Sequence, residues 1–146
     1  MIRAKILIVD GHSFIFHCHD LARRYLRNGP EVREEVVDRL TALQDATDWH
    51  VVVVFDGKGS KPSDASEADG IHVFYSAAGH TADALIERLV AKYASKHDVT
   101  VVTNDNLERT TAHTFGAATM RPEHLVIEME SAVRDLQLRI ARLSRR

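Results

Sequence analysis

Several apolar segments of this chain end at an aspartate. Asp10 and Asp56 directly follow segments 5–9 and 51–55, and Asp105 follows segment 99–103 after Asn104. Uninterrupted runs of Val, Ile and Leu are typical of buried parallel strands, and ligands bind beyond the carboxyl ends of such strands. A helical segment also carries Asp83 and Glu87, four residues apart and therefore on one helix face. Up to five carboxylates are thus expected around one crevice.

Such a group of acids favours a divalent metal ion. Carboxylate oxygens suit Mg²⁺ or Mn²⁺, and two carboxylates about 4 Å apart repel by ~4 kcal/mol at an effective dielectric constant of about 20. A bound ion can orient a phosphodiester, lower the pKa of an attacking water and stabilise the leaving oxygen. Each acid also has a simpler interpretation: a strand-end aspartate is often a turn residue or helix N-cap, and an Asp/Glu pair on a helix often faces solvent.

Other polar residues flank these acids. Three of them are expected to orient the carboxylates: Ser13, Thr103 and Asn104. Five are expected to contact substrate: His12, Lys58, Lys61, Arg88 and Arg109. The alternatives are a helix cap for Ser13 and simple surface roles for the basic residues. Nine histidines are present, but no Cys/His spacing matches a zinc site, and no Gly-x-x-x-x-Gly-Lys-Ser/Thr phosphate loop occurs.

The composition is that of one ordinary globular domain, which we assign to residues 1–146. Hydrophobic residues make up 45% of the chain and charged residues 27%, and the net charge is -2. This charge excludes a strongly basic, histone-like nucleic-acid binder. No apolar run approaches the ~20 residues of a membrane span. The single cysteine, Cys18, cannot form an internal disulfide, so we expect a cytoplasmic protein without a membrane partner.

Strand and helix patterns alternate along the chain. This order predicts an α/β fold with three α/β/α layers and a central, mainly parallel sheet of strand order about 3-2-1-4-5. The predicted strands are 6–9, 50–55, 71–75, 99–103 and 117–120. The predicted helices are 13–27, 31–47, 81–96, 107–114 and about 122–146. The polar segment 57–70 reads as a surface loop.

The predicted C-terminal helix carries an apolar stripe with alternating spacings of three and four. Its members are Val126, Met129, Val133, Leu136, Ile140 and Leu143. Packing on its own domain, a dimer seam, and a basic arm that touches nucleic acid all remain open, because the stripe covers fewer than three heptads. The expected oligomeric state is therefore a monomer or a weak homodimer.

Four short motifs resemble the NYN/PIN-like nuclease superfamily, and within it the YacP-like NYN-domain ribonucleases. The resemblance extends from about residue 6 to residue 121. The motifs are Val9-Asp10-Gly11-His12-Ser13, Val54-Phe55-Asp56-Gly57, Thr81-Ala82-Asp83 with Glu87-Arg88, and Val102-Thr103-Asn104-Asp105.

The resemblance implies a PIN-like fold and a metal-dependent endoribonuclease, for which the carboxylates favour Mg²⁺ or Mn²⁺. Its substrate would be RNA, in some relatives ribosome-associated messenger RNA. By this resemblance Asp10, Asp83 and Asp105 match the metal-binding and catalytic acids. Glu87 matches a further catalytic acid, and Asp56 a supporting one.

The chain departs from the family pattern at two places. His12 and Ser13 stand where the family often has Tyr-Asn, and Ala84 stands where it often has a second aspartate. The loss of that carboxylate leaves open a second function, a catalytically weak or inactive RNA- or ribosome-binding module. A phosphatase or phosphotransfer domain with an aspartate nucleophile is a third interpretation, but His12 interrupts the Asp-x-Asp pattern that would favour it.

Overall fold

A central sheet brings the predicted strands side by side. The computed structural model describes residues 2–57, 63–67, 70–79 and 81–145, and within them the sheet has six strands. The strands are β1 (Lys5–Asp10), β2 (Trp49–Phe55), β3 (Ser63–Asp64), β4 (His72–Tyr75), β5 (Asp98–Val102) and β6 (Ala118–Met120). Their order across the sheet is β3-β4-β2-β1-β5-β6, and every neighbouring pair is parallel except β3 and β4.

The predicted fold class and strand order are confirmed, since the five predicted strands lie in the order 3-2-1-4-5. The additional strand is β3, in the segment 57–70 that was predicted to be a loop. That prediction was wrong at Ser63–Asp64, where polar residues pair antiparallel with β4 at the sheet edge. An edge strand needs only backbone partners on one side, so apolar patterning does not reveal it.

Helices cover both faces of the sheet. They are α1 (Gly11–His17), α2 (His19–Arg27), α3 (Gly29–Ala46), α4 (Ala82–Tyr93), α5 (Asn106–Thr114) and α6 (Pro122–Ser144). Side chains of α1, α2, α3 and α6 share one buried cluster with Leu7 and Val9 of β1. Side chains of α4 and α5 share a second cluster with Ile8, because successive strand residues point to opposite faces.

The segment predicted as one helix over 13–27 forms two helices instead. Cys18 has an extended backbone (φ -93°, ψ 105°) that ends α1 and begins α2. Its N–H donates to the Ile15 carbonyl at 3.2 Å, and its own carbonyl accepts from Ala22 N–H at 2.9 Å. No glycine or proline marks this break. The turn lets Leu21 be buried in the cluster around α3, which compensates for the lost helical hydrogen bonds.

Helix α6 begins at Pro122, as predicted from the tolerance of proline in a first helical turn. Its first half packs on the domain through Leu125 and Ala132, which are buried, and most of its second half is exposed. Among the described helices, none is both long and apolar enough to cross a membrane.

Candidate metal centre

Asp10 ends β1 and caps α1 at the same time. Its Oδ1 accepts hydrogen bonds from the backbone N–H groups of His12 (3.2 Å) and Ser13 (3.4 Å). A capping aspartate satisfies N–H groups that have no partner inside the helix. Because parallel strands end at the same edge of the sheet, this cap places Asp10 at the rim beside the end of β5.

Two hydroxyl groups orient the other oxygen of Asp10. Its Oδ2 accepts from Ser13 Oγ at 3.1 Å and from Thr103 Oγ1 at 3.3 Å. Each hydroxyl also accepts a backbone N–H, since Asn104 donates to Ser13 Oγ and Asp105 donates to Thr103 Oγ1, both at 3.1 Å. This network joins the start of α1 to the end of β5 and fixes the position of the Asp10 carboxylate.

Three carboxylates converge at this rim. Asp10, Asp83 and Glu108 each offer an oxygen within 4.8 Å of the oxygens of the other two. They come from the end of β1 and from the first turns of α4 and α5. Asp10 and Glu108 are each 6% exposed, and Asp83 is the more accessible member. Residues far apart in the chain therefore form one acidic centre.

Burial and mutual repulsion disfavour full ionisation of this centre. Burial, together with the Asp83 and Asp10 carboxylates, raises the pKa of Glu108 to about 10. Burial also raises the pKa of Asp10, with a further increase from Asp83, while the hydrogen bonds from Ser13 oppose the increase. Both carboxyl oxygens of Glu108 are buried and make no hydrogen bond of normal geometry among the described residues, although the Asp83 carboxylate and the Thr103 hydroxyl lie close to them. A divalent cation fits this donor set, because it would satisfy those oxygens and neutralise the charge.

Asp56 positions the helix that carries Asp83. Thr81 occupies the N-cap position of α4, but its side chain makes no capping hydrogen bond. Asp56 Oδ1 accepts from the N–H of Ala82 at 2.8 Å instead. A side chain on Gly57 would place its Cβ 1.5 Å from the Ser76 carbonyl oxygen, so glycine is required for this close approach. Asp56 thus ties the end of β2 to the start of α4.

Asp105 performs a similar task for α5. It is exposed, and its Oδ1 accepts from the N–H groups of Leu107 (2.8 Å) and Glu108 (3.3 Å). The carboxylate of Asp105 therefore caps the helix that carries Glu108, and Glu108 stands in the acidic group where Asp105 was expected. Glu87, another predicted catalytic acid, lines a small cleft of about 120 Å³ together with Asp83 and Glu108. Metal binding by Asp105 and catalysis by Glu87 stay predictions.

Glu108 is the site residue that the sequence pattern did not single out. Its spacing from Asp105 predicts a helix start, because a capping residue is often followed three positions later by Glu. A first-turn glutamate after a strand-end aspartate lies at the same rim as the strand end. The helical spacing of Asp105 and Glu108 was therefore as informative as that of Asp83 and Glu87.

The predicted substrate-binding residues differ in their exposure and in their contacts. His12 Nδ1 lies 3.2 Å from Asp56 Oδ2. Arg88 is exposed on α4, and Arg109 donates a hydrogen bond to Asn106 in the first turns of α5. Lys58 and Lys61 lie outside the described residues. None of these described basic residues is a member of the carboxylate cluster, and only His12 and Arg109 have a contact with a polar side chain next to it.

The fold and the motifs match known proteins. An uncharacterized protein YacP of Bacillus subtilis is 25% identical over 141 residues, which cover 95% of this chain and 83% of that protein. A crystal structure of Rae1 (YacP) from the same organism superposes with a TM-score of 0.78 at 26% identity, covering 95% of this chain and 81% of that one. The structure of its W164L mutant gives a TM-score of 0.80 at 24% identity, covering 95% and 82%.

A family model gives the assignment. The model of the YacP-like NYN domain matches residues 7–145, which is nearly the whole chain and includes every member of the acidic centre. The predicted resemblance to NYN nucleases is thereby confirmed: this chain belongs to the YacP-like NYN domain family.

Proposed function

We propose that this protein is a metal-dependent endoribonuclease, which hydrolyses phosphodiester bonds within RNA using Mg²⁺ or Mn²⁺. The observation that carries the proposal is the convergence of Asp10, Asp83 and Glu108, with two buried Glu108 oxygens that make no hydrogen bond of normal geometry among the described residues. Membership of the NYN family supports a nuclease over other uses of such a centre. The proposed setting is the cytoplasm, with ribosome-associated RNA as the substrate.

Each residue of the rim has a role in this proposal. When bound, the divalent ion would lower the pKa of the attacking water and offset the charge that develops on the phosphate. Asp10, Asp83 and Glu108 hold that ion. Ser13 and Thr103 keep the Asp10 carboxylate aimed at it through their hydroxyl groups. Glu87 lines the adjoining cleft, where it orients the water.

The supporting residues hold the frame and the substrate. Asp56 fixes α4 through Ala82, and Asp105 fixes α5 through Leu107 and Glu108, so both act on the centre through the helices they cap. Asn104 supports Ser13 through its backbone N–H. The phosphates of the RNA are contacted by the basic residues singled out in the sequence, and these are His12, Lys58, Lys61, Arg88 and Arg109.

A circular single-stranded RNA tests the activity and its mode together. Because a circle has no ends, linear products in the presence of Mn²⁺ require an internal cut. We expect cleavage by the wild type, none with a chelator, and cleavage at least about a hundredfold slower by Asp10→Asn. Asp45→Asn is the matched control, since Asp45 is an exposed aspartate on α3 away from the rim. If circular RNA stays intact while linear RNA of the same sequence is degraded, the activity is exonucleolytic and the proposed internal cleavage is wrong.

Ala84 favours a second candidate, a non-catalytic RNA-binding module. Ala84 is exposed beside Asp83, at the position where the family pattern often has an aspartate. RNA that is bound but left intact by the wild type, with Mg²⁺ or Mn²⁺ present, would support this alternative. In the same assay, a gain of cleavage in Ala84→Asp would show that the missing carboxylate limits turnover.

A further inference from the structure

Three aromatic rings form a cluster beside the acidic centre. His12 and Phe16 lie about one turn apart on α1, with ring centroids separated by 5.6 Å and planes tilted by 30°. The ring of Tyr25, on α2, meets both nearly at right angles, with its centroid 5.6 Å from that of His12 and 5.9 Å from that of Phe16. We call these three side chains the aromatic trio. Each ring lies at the usual distance of an aromatic contact from the other two, so the trio holds its members in place.

Phe16 is the accessible member of the aromatic trio. It is 51% exposed, whereas His12 and Tyr25 are half-buried. A single exposed apolar side chain is common on protein surfaces and by itself indicates no ligand. This ring differs because two other rings support it and because it lies next to a candidate catalytic centre. Its exposed surface is therefore a rigid support on which a flat ring can stack.

His12 joins the aromatic trio to the acidic centre. The His12 N–H donates to Asp10 Oδ1 at 3.2 Å. The His12 ring Nδ1 lies 3.2 Å from Oδ2 of Asp56, the residue that caps α4. At 1.5 Å per helical residue, Phe16 lies about 6 Å beyond His12 along the axis of α1. A phosphate bound at the carboxylates would therefore bring the base of a neighbouring nucleotide close to Phe16.

A cation adjoins the aromatic trio on its other side. Arg33 Nη1 donates to the Tyr25 hydroxyl at 3.2 Å. The Arg33 guanidinium lies 5.8 Å from the ring centroid of Tyr25 and 6.0 Å from that of Tyr75. Among the ion pairs of the described residues, none involves Arg33. An aromatic surface beside a cation is the combination that binds single-stranded nucleic acid, in which the ring stacks on a base and the cation attracts the backbone.

We propose that the aromatic trio is a base-stacking subsite, in which Phe16 binds one unpaired base of single-stranded RNA and Arg33 attracts the adjoining phosphate. This inference rests on the proposed function for its ligand, and it adds which part of the RNA is bound. Every base has a π-face, so the subsite binds single strands without selecting a sequence. Bases within a duplex are already stacked and paired, so duplex RNA is not its ligand.

Tryptophan fluorescence tests the stacking directly. The chain has one tryptophan, Trp49, which begins β2 at the end of the sheet opposite the acidic centre, so its emission should not respond to RNA. Phe16→Trp adds a fluorescent ring to the trio. The protein also carries Asp10→Asn, which slows cleavage during the measurement. We expect single-stranded RNA to quench the new emission, and duplex RNA or a strand of the same length without bases to leave it unchanged. Equal quenching by strands with and without bases overturns the proposal.

The affinity for a labelled single-stranded RNA gives a second test, in the same Asp10→Asn protein. Phe16→Leu keeps an apolar side chain but removes the π-face, so the Kd should increase by about tenfold. Phe16→Trp should bind at least as tightly as the protein with Phe16. Tyr93→Leu is the matched control, because Tyr93 is a half-buried aromatic residue at the far end of α4, and its Kd should not change. Melting temperatures verify that each variant is folded.

The subsite and the nuclease activity fail in different ways. If circular RNA stays intact but Phe16→Leu still weakens RNA binding, the nuclease proposal is wrong and the subsite is supported. If the wild type cleaves RNA but Phe16→Leu binds it as tightly as the protein with Phe16, the subsite is wrong and the nuclease proposal is supported. A folded protein that binds no single-stranded RNA contradicts both.

Discussion

Asp10 and Asp105 both follow a buried strand and both cap the next helix, but their surroundings differ. Asp10 is 6% exposed, and its second oxygen is held by two hydroxyls beside Asp83 and Glu108. Asp105 is exposed, and the acid that its helix carries, Glu108, enters the cluster instead. The comparison teaches that one carboxylate can cap a helix with one oxygen while its other oxygen joins a cluster of acids.

The largest expected difference between the two aspartates is in catalysis. Asp10→Asn removes one carboxylate of the proposed metal centre and should lower the cleavage rate by about a hundredfold to a thousandfold. Asp105→Asn keeps an oxygen that can cap α5, so its rate should fall by less than about tenfold. Rates of RNA cleavage at saturating Mn²⁺ measure both, with melting temperatures as the control for folding. Equal losses in the two variants would make Asp105 a ligand.

The pH dependence of stability should report the buried Glu108 in the metal-free protein. The native pKa of about 10 lies above the ordinary value of 4.5, so the native state keeps a proton that the unfolded chain releases. The free energy of unfolding should therefore fall as pH rises between about 5 and 9, by at most ~1.4 kcal/mol per pH unit.

Glu108→Gln should remove that decrease, because the amide does not titrate. Urea denaturation of both proteins at several pH values, with a chelator present, gives the comparison. Asp105→Asn leaves the Glu108 carboxyl in place and should therefore still show the decrease. Parallel pH profiles for the wild type and Glu108→Gln would mean that Glu108 is ionised without a metal.

Metal binding should stabilise the native state through the acidic cluster. At a Mn²⁺ concentration about a hundred times the Kd, the gain is ~2.7 kcal/mol, or roughly 5–10 °C in melting temperature for a domain of this size. The gain should disappear in Glu108→Gln and persist in Asp105→Asn, as measured by thermal denaturation with and without Mn²⁺. If the gain persists in Glu108→Gln and disappears in Asp105→Asn, the third ligand is Asp105, as predicted from the sequence.

The smallest expected effect isolates the capping role. Asp105→Ala removes the acceptor for Leu107 and Glu108 N–H and should cost about 1 kcal/mol of stability. Asp105→Asn should cost much less, because its side-chain oxygen can still accept. Urea denaturation at neutral pH without metal measures the free energy of unfolding of both variants. A larger cost for asparagine than for alanine would contradict the capping geometry.

Much of the fold could be predicted because its signals are local. The valine-rich runs and the alternation of strands with helices predict the parallel sheet and its order, and Asn28-Gly29-Pro30 predicts the boundary between α2 and α3. The break at Cys18 and the edge strand β3 have no such signal. Both depend on partners distant in sequence, namely the core around Leu21 and the backbone of β4.

The candidate site was predictable in part for a similar reason. A strand-end position is sufficient to place Asp10 at the rim, and a first-turn position does the same for Asp83. The choice between Asp105 and Glu108 depends on the direction in which α5 leaves β5, which the residue types do not specify. The capping of α4 by Asp56 was equally hidden, since its two partners are 26 residues apart.

The sequence by itself determined which segments become strands and which acids follow them, because apolar runs and capping residues act over a few positions. Only the tertiary structure decided which three acids meet and that burial raises the pKa of two of them, Asp10 and Glu108. Both properties arise when α4 and α5 pack on the same face of the sheet, which brings Asp83 and Glu108 beside Asp10 and excludes water from Asp10 and Glu108.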